Sequence, residues 1–353
     1  MPLSETSPRK RRVGSADAVS AAPRSLDIGA FTLTPWSIVE EPGSASSMDE
    51  NPPRTAKELL SFLPIGDAYA CKVIPIGFKE RIIADLSCPN PPFYTYDDGQ
   101  LPEAEEEKWT TMTRLLENSR YNFEDNANEK AWVEVAGKML NAALSLCGSG
   151  LKGMVAVYDV QDPSLITDGL PTVNNQRIPY KKVDLVLAMS PRNPSVSTTC
   201  AKLRKANPLV RISQFVDAFL SRLVIPVFIE VGEAGKDYLE ASLQLGIVGS
   251  AGLSQLERLG RTLVPKWKEE PVMLPMLGWT VIGHDWKLHI ICQLKFPGFE
   301  QSGTVVYGPY DSGGTGSHFH IFTLLRVITM VVKWMEDVYW PYFSEMVEGR
   351  VRD

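Results

Sequence analysis

Leu223-Val224-Ile225-Pro226-Val227-Phe228-Ile229-Glu230-Val231 is a nearly unbroken apolar run that ends beside a single acid. Such a run reads as a strand covered on both faces by other layers. Pro226 counts against a central place for its own position, because it has no N–H to give to a ladder. Glu230 lies at the C-terminal end. A carboxylate in that setting is costly to bury unless it is paired or holds a cation. Residues 181–188 repeat the theme, with Val183, Leu185 and Leu187 on one face and Asp184 and Val186 on the other. Two such acids on adjacent strands, with a third from the preceding helix (Glu129 or Glu134), would make an oxygen-rich site for Mg²⁺. The competing reading is that each strand emerges at a sheet edge, where its carboxylate is simply wet.

The neighbouring segments supply the rest of the layers. Trp132, Val133, Ala136, Met139, Leu140, Ala143 and Leu144 form an i, i+3, i+4 stripe that stops at Gly148 and Gly150. Residues 154–160 are a short β-branched run, and residues 237–259 return to helical spacing. Two further strands, 276–282 and 286–294, are joined at Gly283-His284-Asp285. Residues 317–345 read as a long, partly amphipathic helix, and Ser312-Gly313-Gly314-Thr315-Gly316 before it as a flexible loop. The order is helix, strand, strand, strand, helix, strand, strand, helix. The expected fold is α/β (α+β), a mixed central sheet flanked by helices.

Composition limits the class. Of 353 residues 44% are apolar, which excludes collagen, coiled coil and wholesale disorder. The net charge of −6 means that any nucleic-acid binding must use a local basic patch. Five scattered cysteines without a CxxC pair exclude a disulfide framework and favour a reducing interior. No apolar run suits a signal peptide or a membrane span, so an intracellular protein with no membrane partner is expected. Residues 1–50, rich in Ser, Pro, Ala and Gly, are expected to be a disordered tail. That tail carries Arg9-Lys10-Arg11-Arg12, which reads as a nuclear import signal, a phosphate-contacting arm or a solvated tail. Residues 51–125 read as a helical and looped arm on the core, and 126–353 as the core domain. The sequence sets no oligomeric state.

The helix Glu129-x-x-Trp132, the strands Lys182-Val183-Asp184-Leu185 and Pro226-Val227-Phe228-Ile229-Glu230, and then Glu240-Ala241-x-x-Gln244-Leu245-Gly246 occur in that order. Gly283-His284-x-Trp286-x-Leu288 and the terminal Trp334…Tyr339-Trp340 helix follow. This ordered set resembles the PD-(D/E)XK nuclease-like domain family of filamentous fungi, over roughly residues 126–345. The resemblance implies a restriction-endonuclease-like αβββαβ core, extended here by a hairpin strand and a long C-terminal helix. It also implies metal-assisted phosphodiester cleavage, with Asp184, Glu230 and Glu129 as carboxylates around Mg²⁺. A lysine two residues beyond the second acid would position and deprotonate the attacking water.

That position is Gly232. Strand alternation keeps Glu233 off the face of Glu230, so it cannot substitute. Lys236, reaching back from the following turn, and Lys182, two residues from Asp184, are the replacement candidates, each also readable as a solvated charge. Gln244 is either a polar residue facing the site or a helix-surface glutamine. His318-x-His320 would share a face on a strand, a legitimate zinc geometry, though no third ligand is near. His284 reads as a hydrogen-bonded structural residue. Two other functions compete with a DNA-cleaving or DNA-binding nuclease relative. One is a fold repurposed as a small-molecule enzyme of fungal specialised metabolism, the other a non-catalytic interaction module.

Overall fold

Strand β6 (Val227–Gly232) is buried at all six positions and lies inside a seven-stranded sheet. The computed structural model describes residues 38–40, 54–63, 72–85, 91–92, 95–97, 105–146, 153–160, 164–166, 172–173, 176–177, 183–264, 273–295 and 302–349. Its strands are β1 (Ile38–Glu40), β2 (Val155–Asp159), β3 (Thr172–Val173), β4 (Gln176–Arg177), β5 (Leu185–Met189), β6, β7 (Met276–Ile282), β8 (Asp285–Lys295) and β9 (Ser302–Gly314). The helices are α1 (Arg54–Phe62), α2 (Lys79–Ala84), α3 (Glu105–Glu124), α4 (Glu129–Leu146), α5 (Pro194–Ala206), α6 (Tyr238–Leu263), α7 (His318–Trp334) and α8 (Trp340–Val347).

The sheet runs β1-β9-β8-β7-β6-β5-β2. β6 and β7 are parallel, β1 and β9 are parallel, and the other neighbours are antiparallel. A parallel pair needs a long crossover, and the 26-residue α6 supplies it. The series α4, β2, β5, β6, α6, β7 is the expected αβββαβ core, with β8 as the hairpin strand. Within the stretch read as a tail, Ile38–Glu40 pair with β9 as an edge strand. The basic cluster 9–12 and Lys182 lie outside the described residues.

Pro226 falls one residue before β6, where its carbonyl accepts from Leu277 N at 2.9 Å and its missing N–H interrupts nothing. Helix α6 starts at Asp237, whose carboxylate accepts from Leu239 N. Its middle is buried almost all round, from Ala241 to Leu256. It lies close to the sheet because small residues face it. A Cβ on Gly249 would come 2.5 Å from Ile291 Cδ1.

Three local readings are corrected. The glycine-rich run is not a loop through Gly314, because β9 extends that far. Buried Ser312 accepts from Trp279 Nε1 at 3.1 Å and donates to the Trp286 carbonyl at 2.8 Å, so two tryptophans hold it in the sheet. His318 and His320 lie in the first turn of α7, not on a strand. His318 stacks on Trp109 of α3, with ring centroids 4.6 Å apart, whereas His320 turns to Ser317 Oγ at 3.0 Å. Asp184 sits on the bend just before β5, not within a strand. The long C-terminal helix also changes pitch. A π-helical turn, Met335–Tyr339, joins α7 to α8. Its wider winding makes room for Pro341, whose ring would clash with the Asp337 carbonyl in a regular α-helix.

Candidate active site

The β5–β6 ladder ends at the pair Leu185–Ile229, and Asp184 turns away just before it. Beyond that point the Val231 N–H has no strand partner on the β5 side. The Asp184 carboxylate takes its place, with Oδ2 accepting from Val231 N at 2.8 Å. Asp184 and Glu230 are therefore drawn to the same end of β6. Both are buried, at 7% and 4% exposure, which removes the reading of carboxylates wetted at a sheet edge.

The chain then reverses through Glu233-Ala234-Gly235-Lys236, closed by Lys236 N donating to the Glu233 carbonyl at 3.1 Å. Gly235 has φ of +89°, as the third position of a type II turn requires. The reversal sends the Lys236 side chain back along the strand. Its ammonium donates to Glu230 Oε1 at 3.0 Å, to Glu129 Oε2 at 3.2 Å and to the Val231 carbonyl at 3.0 Å. Those three bonds use all the donors an ammonium has.

Gly232 makes this path available. A Cβ on that residue would sit 2.2 Å from Lys236 Cδ and 2.9 Å from Lys236 Cβ. The aliphatic stem of Lys236 thus fills the volume that a side chain at 232 would occupy. Glycine at that position and lysine four residues later are one arrangement.

Burial, reinforced by the negative charge of Asp184, pushes the Glu230 carboxyl up to about 8 despite Lys236 beside it. Burial works against the charge on Lys236, but Glu230 and Glu129 outweigh it and hold the ammonium's pKa above its ordinary value. Glu230 Oε2 is buried and has no hydrogen-bond partner. An orphaned carboxylate oxygen beside a second buried acid suits a hard divalent cation. Mg²⁺ commonly takes only one or two protein carboxylates and completes its shell with water and phosphate. Among the described residues, no three His, Cys, Asp or Glu side chains form a closed metal cluster. The pair Asp184–Glu230 fits an open site of the Mg²⁺ kind.

The remaining candidates separate clearly. Glu129 is the first residue of α4 and reaches Lys236, while Glu134 faces solvent and pairs with Lys138 at 2.7 Å. Gln244 is buried on α6 and is not a helix-surface residue. His284 bonds Thr315 Oγ1 through Nδ1 and lies edge-on to Trp132.

One cluster beside the site escaped the sequence reading. His289 on β8 is 1% exposed, and its Nε2 lies 2.7 Å from the Tyr238 hydroxyl and 3.2 Å from Thr280 Oγ1. Thr280 is the register partner of Glu230, so the cluster adjoins the acids. Nothing in the sequence spacing joins these three residues. The β7–β8 pairing brings Thr280 diagonally to His289, and the start of α6 adds Tyr238.

No curated protein and no solved structure matched the chain. The family model described as the PD-(D/E)XK nuclease superfamily matches residues 84–340, which spans both acids, Lys236 and the whole sheet from β2 to β9. With the expected core order and the paired acids at the end of β6, the chain belongs to the PD-(D/E)XK nuclease superfamily.

Proposed function

We propose that the protein is a divalent-metal-dependent phosphodiesterase acting on DNA, with Lys236 in place of the lysine that the motif lacks at Gly232. One observation carries this reading. The Lys236 ammonium arrives within 3.0 Å of Glu230 through the space that Gly232 leaves open. The missing motif lysine is therefore no argument against hydrolysis.

Asp184 and Glu230 are the residues that would hold the cation, and the orphan Glu230 Oε2 is the atom left for it. When bound, a divalent cation supplies Lewis-acid polarisation of a phosphate and acidifies water at neutral pH. The chain's own groups do the rest. Asp184 is fixed by Val231 N, so its carboxylate does not swing away. Glu129 and Glu230 hold the ammonium of Lys236 in place from two sides. In the reaction that ammonium exchanges one carboxylate for a phosphate oxygen or the attacking water, stabilising charge as it develops. Gln244 of α6, the helix that follows the Lys236 turn, is a further polar group, buried rather than solvated.

The test is incubation of supercoiled plasmid and linear duplex with the protein and Mg²⁺ or Mn²⁺, alongside Mn²⁺ binding read by calorimetry. Cleavage and binding are both expected, and both should vanish in Asp184→Asn and Glu230→Gln. A wild-type protein that neither cleaves nor binds the metal overturns the proposal.

A further inference from the structure

The segment from Arg192 to Arg222 holds six basic residues and one acid in a chain whose net charge is −6. The single acid, Asp217, is occupied locally, accepting from Phe219 N at 2.8 Å and Leu220 N at 2.7 Å. Two of the bases are also engaged. Lys202 pairs with Glu348 at 3.5 Å, and Arg204 Nε donates to the Cys200 carbonyl. Arg192, Lys205, Arg211 and Arg222 are exposed and make no ion pair among the described residues.

The fold gathers Arg192, Arg211 and Arg222 at one end of the sheet, and Lys205 lies in the last turn of α5, six residues before Arg211. Ile212 N donates to the Ser221 carbonyl at 2.7 Å, which sets Arg211 beside Arg222. Gln255 of α6 donates to the Arg211 carbonyl, and exposed Arg258, one helical turn on, joins the same edge. Met189 N donates to the Val224 carbonyl, bringing the Arg192 turn to the start of β6. Arg192 is close enough to Tyr158 for its charge to act on that hydroxyl, and Phe219 packs edge-on against Tyr158 at 5.3 Å. Phe219 is still 50% exposed, and Leu209, between Lys205 and Arg211, is 91% exposed.

Unpaired cations interleaved with exposed flat or apolar side chains match a nucleic-acid strand. Phosphates meet the cations, and sugars and bases meet the aromatic and aliphatic groups. We infer that the Arg192–Arg222 surface is a second nucleic-acid-binding site, at the end of the sheet opposite Asp184 and Glu230. Glu230 lies six positions after Val224, roughly 20 Å at ~3.3 Å per residue. The surface therefore engages nucleic acid beyond the reach of the acids, whether or not that nucleic acid is cut.

The decisive measurement is binding of a fluorescent single strand of ~40 nucleotides, and of the matching duplex, in EDTA over a series of salt concentrations. Wild type is compared with R211E/R222E and the milder R211Q/R222Q. These side chains are exposed and unpaired, so unchanged melting temperatures are expected to verify folding. Affinity should fall about tenfold or more for the charge reversal, and the slope of log K against log salt should shrink by about 1.4 to 1.8 units. Equal affinity and slope in all three proteins overturn the inference. Patch-dependent binding to 3:1 phosphatidylcholine–phosphatidylserine vesicles with no effect on nucleic acid also overturns it, assigning the surface to a membrane. Cleavage of bis(4-nitrophenyl) phosphate, a phosphodiester far too short to span the ~20 Å, separates this site from the hydrolytic one. Patch-dependent binding without any cleavage sinks the hydrolysis proposal and leaves this one standing.

Discussion

The two ends of β6 treat charge in opposite ways. At the C-terminal end, Asp184, Glu230, Glu129 and Lys236 are tied to one another or to Val231, and Asp184 and Glu230 are buried. At the N-terminal end, Arg192, Lys205, Arg211 and Arg222 stand in solvent without ion pairs among the described residues. Removing one member of the first group leaves a buried charge without its partner, which is costly. Removing one member of the second leaves several equivalent cations in place. The buried end should be fragile and specific, the open end redundant and governed by salt.

Lys236→Ala is the most severe test of the buried end. Cleavage should fall by about 10²–10³-fold, mainly in kcat, as for other single charge-stabilising groups. A variant that retains wild-type kcat would show the ammonium to be a bystander. The converse substitution, Gly232→Lys, restores the motif letter but drives a Cβ into the Lys236 stem, and should lose activity as well. The double variant G232K/K236G removes the obstruction and supplies an ammonium from the motif position. It should recover about tenfold or more over either single change, because contacting sites are not additive. A double variant no better than G232K would break the link between the glycine and the lysine.

Much of this was legible in the sequence because it depends on local patterns. The apolar run with its late acid placed β6, the i, i+3, i+4 stripe placed α4, and Gly283-His284-Asp285 placed the β7–β8 turn. Lys236 was readable as a candidate because it follows a turn signal, Ala234-Gly235, near the acid. Other features were present locally but went unread. Thr304-Val305-Val306-Tyr307 is a β-branched run inside β9, and Asn193-Pro194 is a cap-and-proline start for α5, with Asn193 Oδ1 accepting from Ser195 N. The glycines after Val306 suggested a loop because their tertiary reason, two tryptophans held by Ser312, lies on other strands. The choice of Glu129 over Glu134 and the His289 cluster depend on contacts between distant segments, which spacing does not encode.

His289 provides the next largest effect and shows how far the buried end extends. Burial pushes its imidazole from 6.5 down to about 4 in the folded protein. The folded state therefore favours the neutral ring, and this stability is complete above pH 6.5. As pH falls from 6.5 towards 4, the unfolded chain takes up a proton that the native state refuses, at about 1.4 kcal/mol per pH unit. About 3 kcal/mol should be lost by pH 4. Urea melts of wild type and His289→Leu between pH 4 and 7.5 measure it. The variant should have the flatter profile, and parallel profiles would place the acid sensitivity elsewhere.

The smallest effects belong at the open end, and their smallness is itself a test. Arg222→Gln removes one exposed, unpaired charge, so stability should change by no more than about 0.5 kcal/mol. Cleavage of short substrates should keep the wild-type rate. Only the salt slope for long nucleic acid should respond, shrinking by about 0.7–0.9 unit, the share of a single phosphate contact. A change in kcat on short substrates, or a lowered melting temperature, would mean that the two ends of β6 are coupled through the strand. An unchanged slope would mean that Arg222 points away from the bound strand and that Lys205, Arg211 and Arg258 carry the contact. The second outcome would narrow the surface to the α5–α6 edge. The first would overturn the division between a tied, buried end and a free, solvated one.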